Sequence, residues 1–196
     1  MNVPYTNHVR RKLLRWLKPG TRAAFACMLA AMGYATAAEA QVNSNSATVN
    51  LTATLPESLT ISASPTNVNF TLASSGTAAG SAQISITTAW ALLATRSSLT
   101  VYAFCASPTA ALTDGSGDNI PAANLTGSAN GGAFSSFTAN SPFGTGTSLS
   151  IFTQAITSGN LNSTRTDTLN LNINTTGLSL PVGTYTGVLT IRAQAI

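Results

Sequence analysis

From residue 49 onward, apolar and polar residues alternate in short runs. Val49, Leu51, Ala53 and Leu55 alternate with Asn50, Thr52 and Thr54, and Leu59, Ile61 and Ala63 with Thr60 and Ser62. Val68, Phe70 and Leu72 follow, then Ala82, Ile84 and Ile86 against Gln83, Ser85 and Thr87. Leu99–Phe104 is apolar on both faces. Later runs centre on Leu149 and Ile151, on Leu169, Leu171 and Ile173, and on Tyr185, Leu189, Ile191, Ala193 and Ala195. A period of two sends one set of side chains to a core and the other to water, and the Thr, Val and Ile content favours the same extended backbone. Eight or nine strands separated by Gly, Pro, Asn and Ser predict an all-β chain folded as a sandwich. Ala89–Ala94, around Trp90, reads as one short turn. The predicted core holds Leu59, Ile61, Ile84, Ile86, Trp90, Val101, Leu171, Leu189 and Ile191.

Residues 107–147 break the pattern. Asp114-Gly-Ser-Gly-Asp118-Asn119, Pro121, Gly131-Gly132, Pro142, Gly144 and Gly146 crowd turn formers into a stretch with few apolar positions. The expectation is a long loop-rich insertion with two short strands, at 122–125 and 134–137. Neither flank has enough strands to close a sandwich alone, so 41–196 reads as a single domain.

The first 40 residues read differently. Arg10, Arg11, Lys12, Arg15, Lys18 and Arg22 precede an Ala-rich apolar run from Ala23 to Met32, and Ala38-Glu39-Ala40 stands ahead of Gln41. A basic end, a short apolar core and a small-residue site make the three-part plan of a secretory signal peptide. The core is shorter than the roughly 20 residues that cross a bilayer. Cleavage after Ala40 predicts a mature chain of 41–196 starting at Gln41, secreted to the periplasm or cell surface. Arg10-Arg11-Lys12-Leu13-Leu14 also resembles a twin-arginine export address, and the general and twin-arginine routes both stay open. Ala24-Phe25-Ala26-Cys27 fits a lipoprotein site poorly, because no apolar run precedes it.

The formal charge of +4 belongs to this leader. From Gln41 on, Arg96, Arg165 and Arg192 face Glu57, Asp114, Asp118 and Asp167, with no Lys or His, while Ser, Thr and Asn fill 63 of 156 positions. Such a chain lacks the basic face that nucleic-acid binding requires. It also lacks the His or Lys that would activate a serine nucleophile. A glycosidase would require two separate acids, and of the four here Asp114 and Asp118 share a turn, which leaves pairs such as Glu57 with Asp167. No enzyme activity and no cofactor are expected. Cys105, the single cysteine after 40, lies in an apolar stretch and reads as a buried, inert thiol. Asp114, Ser116, Asp118 and Asn119 carry oxygens at calcium-loop spacing, but two carboxylates make a weak site and a polar turn is the simpler reading. Trp90 and Tyr102 read as core residues. Phe134, Phe137 and Phe143, set among Gly and Ser, read as exposed aromatics that a glycan would contact.

The final stretch, Leu180-Pro-Val-Gly-Thr-Tyr-Thr-Gly-Val-Leu-Thr-Ile-Arg-Ala-Gln-Ala-Ile196, resembles the closing strand of bacterial secreted immunoglobulin-like proteins. These are the spore coat protein U-type domains, the related pilin subunits of chaperone–usher systems, and WxL-like surface domains. The resemblance implies an immunoglobulin-like β-sandwich and a non-enzymatic role as a coat, fimbria-like or matrix component. The alternative is a secreted glycan- or matrix-binding module acting through the 107–147 loops. The expected partners are therefore the chain itself or related subunits by strand addition, or a surface polysaccharide, with no membrane contact once the leader is removed. Strand addition points to Val49, Leu51 and Ala53, an alternating run near the mature terminus in a chain without the lysines that normally block edge pairing.

Overall fold

The computed structural model describes residues 42–196; the leader, its cleavage site and Gln41 lie outside the described residues. The chain divides into two units, 1–52 and 53–196. Of the first, the described residues 42–52 hold no helix or strand and are exposed. The second is all-β.

Twelve strands are present among the described residues. They are β1 (Ser58–Ser64), β2 (Thr77–Ala79), β3 (Ile84–Ala91), β4 (Ser98–Cys105), β5 (Leu112–Thr113), β6 (Asn119–Ile120), β7 (Leu125–Ala129), β8 (Ser135–Ser136), β9 (Ala139–Ser141), β10 (Gly144–Ala155), β11 (Asn162–Asn174) and β12 (Leu189–Ala195). All pairings are antiparallel. One sheet runs β1-β3-β11-β7-β8, with β2 on the far end of β11, and the other runs β12-β4-β10-β9. β5 and β6 form a separate hairpin.

The inner faces carry the apolar half of each alternation. Ile84, Ile86, Thr88 and Trp90 on β3 meet Leu99, Val101, Ala103 and Cys105 on β4, all buried. β10 shifts register between Ser150 and Phe152, so the neighbours Ile151 and Phe152 are both buried. An extra residue in one strand resets which side chains point inward.

Four expectations change. The strand total exceeds eight or nine because several are two- or three-residue pairings too short to show a period. Ala89–Ala91 continues β3, and Trp90 points inward with its indole N–H donating to the Asn160 carbonyl at 2.8 Å. Val68–Leu72 forms no strand; it is tied by a single bridge, Phe70 to Gly80. A Cβ on Gly80 would stand 2.7 Å from Val68 Cγ1, so only glycine lets the two segments close. Residues 47–55 are not a strand either: Val49, Leu51 and Leu55 are exposed.

The 107–147 stretch is more ordered than its composition suggests. Ala122–Asn124 is a single 3-10 turn, β5 to β9 lie within it, and Ile120, Ala122, Leu125 and Phe137 enter the core. Phe137, expected at the surface, is fully buried. It fits because Gly127 on β7 leaves space: a Cβ there would lie 2.5 Å from Leu149 Cδ2 and 3.1 Å from Phe137 Cε2.

Polar groups fix the rest. Asp167, fully buried on the inner side of β11, accepts from Arg165 Nε at 2.8 Å and from Asn130 Nδ2 at 2.8 Å. Asn130 closes the turn after β7 in a left-handed conformation (φ 52°) and accepts from the Thr168 N–H. A buried carboxylate needs such partners. Arg165 also lies over the Phe152 ring, 4.6 Å from its centroid.

Glu57, just before β1, accepts from Arg96 Nη2 at 2.9 Å and from the Leu93 N–H at 2.8 Å. These bonds, Arg96 first, hold its carboxyl at about 2, well below the ordinary value. A depressed carboxyl stabilises the fold above its unfolded pKa, and that contribution disappears as pH falls through the native one. Wild type and Glu57→Gln are therefore expected to melt apart at pH 6 and to converge between about pH 4.5 and 2. Melting curves of both proteins across that window check it; a constant gap would contradict the ion pair.

Candidate functional site

β1 and β12 are outermost in their sheets and approach each other along one flank of the sandwich. They do not pair. Among the described residues, neither has a backbone hydrogen-bond partner on its outer side. Between them a groove of about 890 Å³ opens into the interior. Ile61 and Phe70 line one wall and Leu189 and Ile191 the other, with Cys105 and Leu171 among the buried residues beneath. No lining residue is charged.

The groove explains a split in the expected core. Ile84, Ile86, Trp90, Val101 and Leu171 are buried, whereas Leu59, Ile61, Leu189 and Ile191 are only partly so. All four half-buried residues sit on the two strands that flank the opening. Their alternation is that of a core strand, but each lacks one neighbour. An unpaired row of N–H and C=O groups beside an uncharged trench with apolar side chains on both walls is a template for an added strand. Arg192 is the single charge on either edge strand.

Cys105 is buried, as its context implies, and desolvation pushes its thiol up to about 11. It stays protonated at neutral pH and serves as a small apolar filler.

The wall containing Tyr185 is braced from outside. Thr113 exchanges two backbone hydrogen bonds with Thr186, at 2.9 and 2.8 Å, docking the β5–β6 hairpin on the 183–187 segment. Tyr185 donates to the Pro181 carbonyl at 3.0 Å; burial, then the nearby Asp118 and Asp114, raise its pKa. The turn at Asp114, Ser116, Asp118 and Asn119 thus comes together as a unit, with its polar groups turned on itself. Asp114 Oδ1 accepts the N–H groups of Ser116, Gly117 and Asp118 at 2.8, 3.2 and 3.0 Å. Asn119 Nδ2 donates to the Gly117 carbonyl. Among the described residues, no three His, Cys, Asp or Glu side chains group around a cation position.

The other chemistry-bearing residues are dispersed. Glu57 is engaged by Arg96 and Asp167 by Arg165 and Asn130, so the two acids serve separate structural pairs. Of the three aromatics in 107–147, Phe134 is exposed, Phe137 is core, and Phe143 joins Tyr102 and Phe104 on the outer face of the smaller sheet. Tyr102, expected inside, therefore points outward: β4 is apolar on both faces because its outer side holds this aromatic group. The two groove walls are also new relative to the sequence. Their signal was present, as two alternating runs without lysine, but nothing in the sequence says that they face each other.

No family model, no curated protein and no solved structure matches the chain.

Proposed function

We propose that this protein is an exported, non-enzymatic structural component of a cell surface, with an immunoglobulin-like sandwich that assembles with its own kind by strand addition. The observation that carries the reading is the uncharged groove between the unpaired edges of β1 and β12. In a constant-type immunoglobulin sandwich, strands A-B-E-D form one sheet and C-F-G the other. On that plan β1-β3-β11-β7 would correspond to the first sheet and β4 beside β12 to C-F, with β10 and β9 added beyond β4, and the place of a G strand beside β12 would be open among the described residues. A tyrosine near the start of strand F whose hydroxyl bonds back a few residues is a mark of the same plan; Tyr185 to Pro181 fits it. The segment suited to fill the groove is 47–55 of a neighbouring copy. Val49, Leu51 and Ala53 would alternate into the trench while the backbone pairs with an open edge.

The test compares the protein with and without residues 41–55 by light scattering over a concentration series. The full form should give a ladder of polymers. The truncated form should be a folded monomer that binds a synthetic 41–55 peptide. A full form that stays monomeric at high concentration, or a truncated form that polymerises equally well, overturns the reading.

A further inference from the structure

The outer face of the smaller sheet carries a second feature, separate from the groove and independent of the assembly reading. Phe143, in the turn between β9 and β10, stacks on Phe104 with centroids 5.8 Å apart and meets Tyr102 edge-on at 6.1 Å. Across the register, Arg192 lies opposite Tyr102, and its guanidinium sits 4.5 Å from the Phe143 centroid. All three rings are half-buried, and Arg192 is exposed. The turn presenting Phe143 is pinned from beneath: Ser141 Oγ accepts the N–H groups of Phe143 and Gly144 at 3.2 and 3.1 Å and shares a 2.8 Å hydrogen bond with Ser148 Oγ.

Charge identifies the occupant. Among the described arginines, Arg96 and Arg165 each hold a carboxylate, whereas Arg192 has no acidic partner. It is also the one charge on this face, where Thr190 and Gln194 of β12 and Thr100 of β4 supply neutral hydrogen-bonding groups around the rings. We infer that this face binds acidic polysaccharide. Arg192 would take a uronate carboxylate through its planar fork, and the Phe143–Tyr102 ring pair would pack against the apolar C–H face of the sugar ring. A guanidinium matches a carboxylate in a two-point geometry, and an aromatic face attracts the weakly positive hydrogens of a C–H surface. One cation among rings and hydroxyls suits a sparsely charged sugar chain; a nucleic-acid strand calls for a row of cations. The rigid turn reduces the ordering that binding would otherwise require.

The experiment is calorimetric titration of the purified protein with an oligosaccharide in which uronates alternate with neutral sugars and with a neutral cello-oligosaccharide of equal length. Wild type should bind the acidic oligomer, more weakly as salt rises, and ignore the neutral one. Arg192→Gln should lose at least about tenfold in affinity. Because the residue is exposed, its melting temperature should stay near wild type, separating lost binding from lost fold. Phe143→Ala should fall similarly, while Thr164→Ala, on the outer face of the other sheet, should bind as wild type does. No binding by wild type at millimolar ligand would overturn the inference. So would an Arg192→Gln protein that binds undiminished, or equal binding of a single-stranded oligonucleotide of the same length.

Discussion

Phe137→Ala is expected to destabilise the protein by about 3–5 kcal/mol, the range for emptying a buried aromatic site. Phe137 is fully buried, and its ring fills space that Gly127 leaves open beneath Leu149 and Leu169. The surrounding side chains project from β7, β10 and β11, which are held in register by their ladders and cannot collapse freely into the void. A loss of that size is a large fraction of the ~5–15 kcal/mol that keeps a typical domain folded. Phe134→Ala, three residues earlier and 48% exposed, should change stability by less than about 0.5 kcal/mol. Denaturant unfolding of the two variants decides the matter. Equal small losses would mean that the 107–147 segment is a surface loop after all.

Val49→Lys combined with Leu51→Lys is expected to abolish polymers while leaving the melting temperature of the monomer unchanged. Both side chains are largely exposed, at 77% and 91%, so neither contributes core packing to the single chain. Placed in the groove of a neighbour, they would meet Ile61, Phe70, Leu189 and Ile191 with no charged group to pair with. Burying an unpaired ammonium in such surroundings costs several kcal/mol, enough to disfavour strand addition outright. Asn50→Lys, one position along, points to the opposite face of an extended strand and should be tolerated, because the side-chain period is two. Light scattering on the three proteins at matched concentration reads the outcome. Polymers that survive the double substitution would show that another segment fills the groove, or none.

Much of the β architecture was legible in advance because an alternating run states its own inward face. Ile84–Ile86 and Leu169–Ile173 became β3 and β11 with the expected side chains inside, while Leu59–Ala63 became β1 with Leu59 and Ile61 half-buried and Ala63 exposed. The lack of charge was legible too, and it survives as an uncharged groove and as edges without lysine. Alternation misled where local pattern and tertiary partner part company. Val49–Leu55 has the pattern and no pairing, because a strand exists only where another backbone takes its hydrogen bonds. The 107–147 segment has little pattern, yet it supplies Ile120, Leu125 and Phe137 to the core. Its strands are too short to show a period: β7 and β9 are fixed by the long strands β11 and β10, β8 by β7, and β5 and β6 by each other. Tyr102 faced outward because an aromatic partner, Phe143, reached it from a turn some forty residues away. The sequence by itself determined which segments prefer extended backbone, which side of each is apolar, and where charge is absent, since these are properties of residues and their immediate neighbours. The order of the strands, the two edges left open beside each other, and the meeting of Arg192 with Phe143 were decided only by the tertiary structure. Each depends on contacts between distant residues, which no local period records.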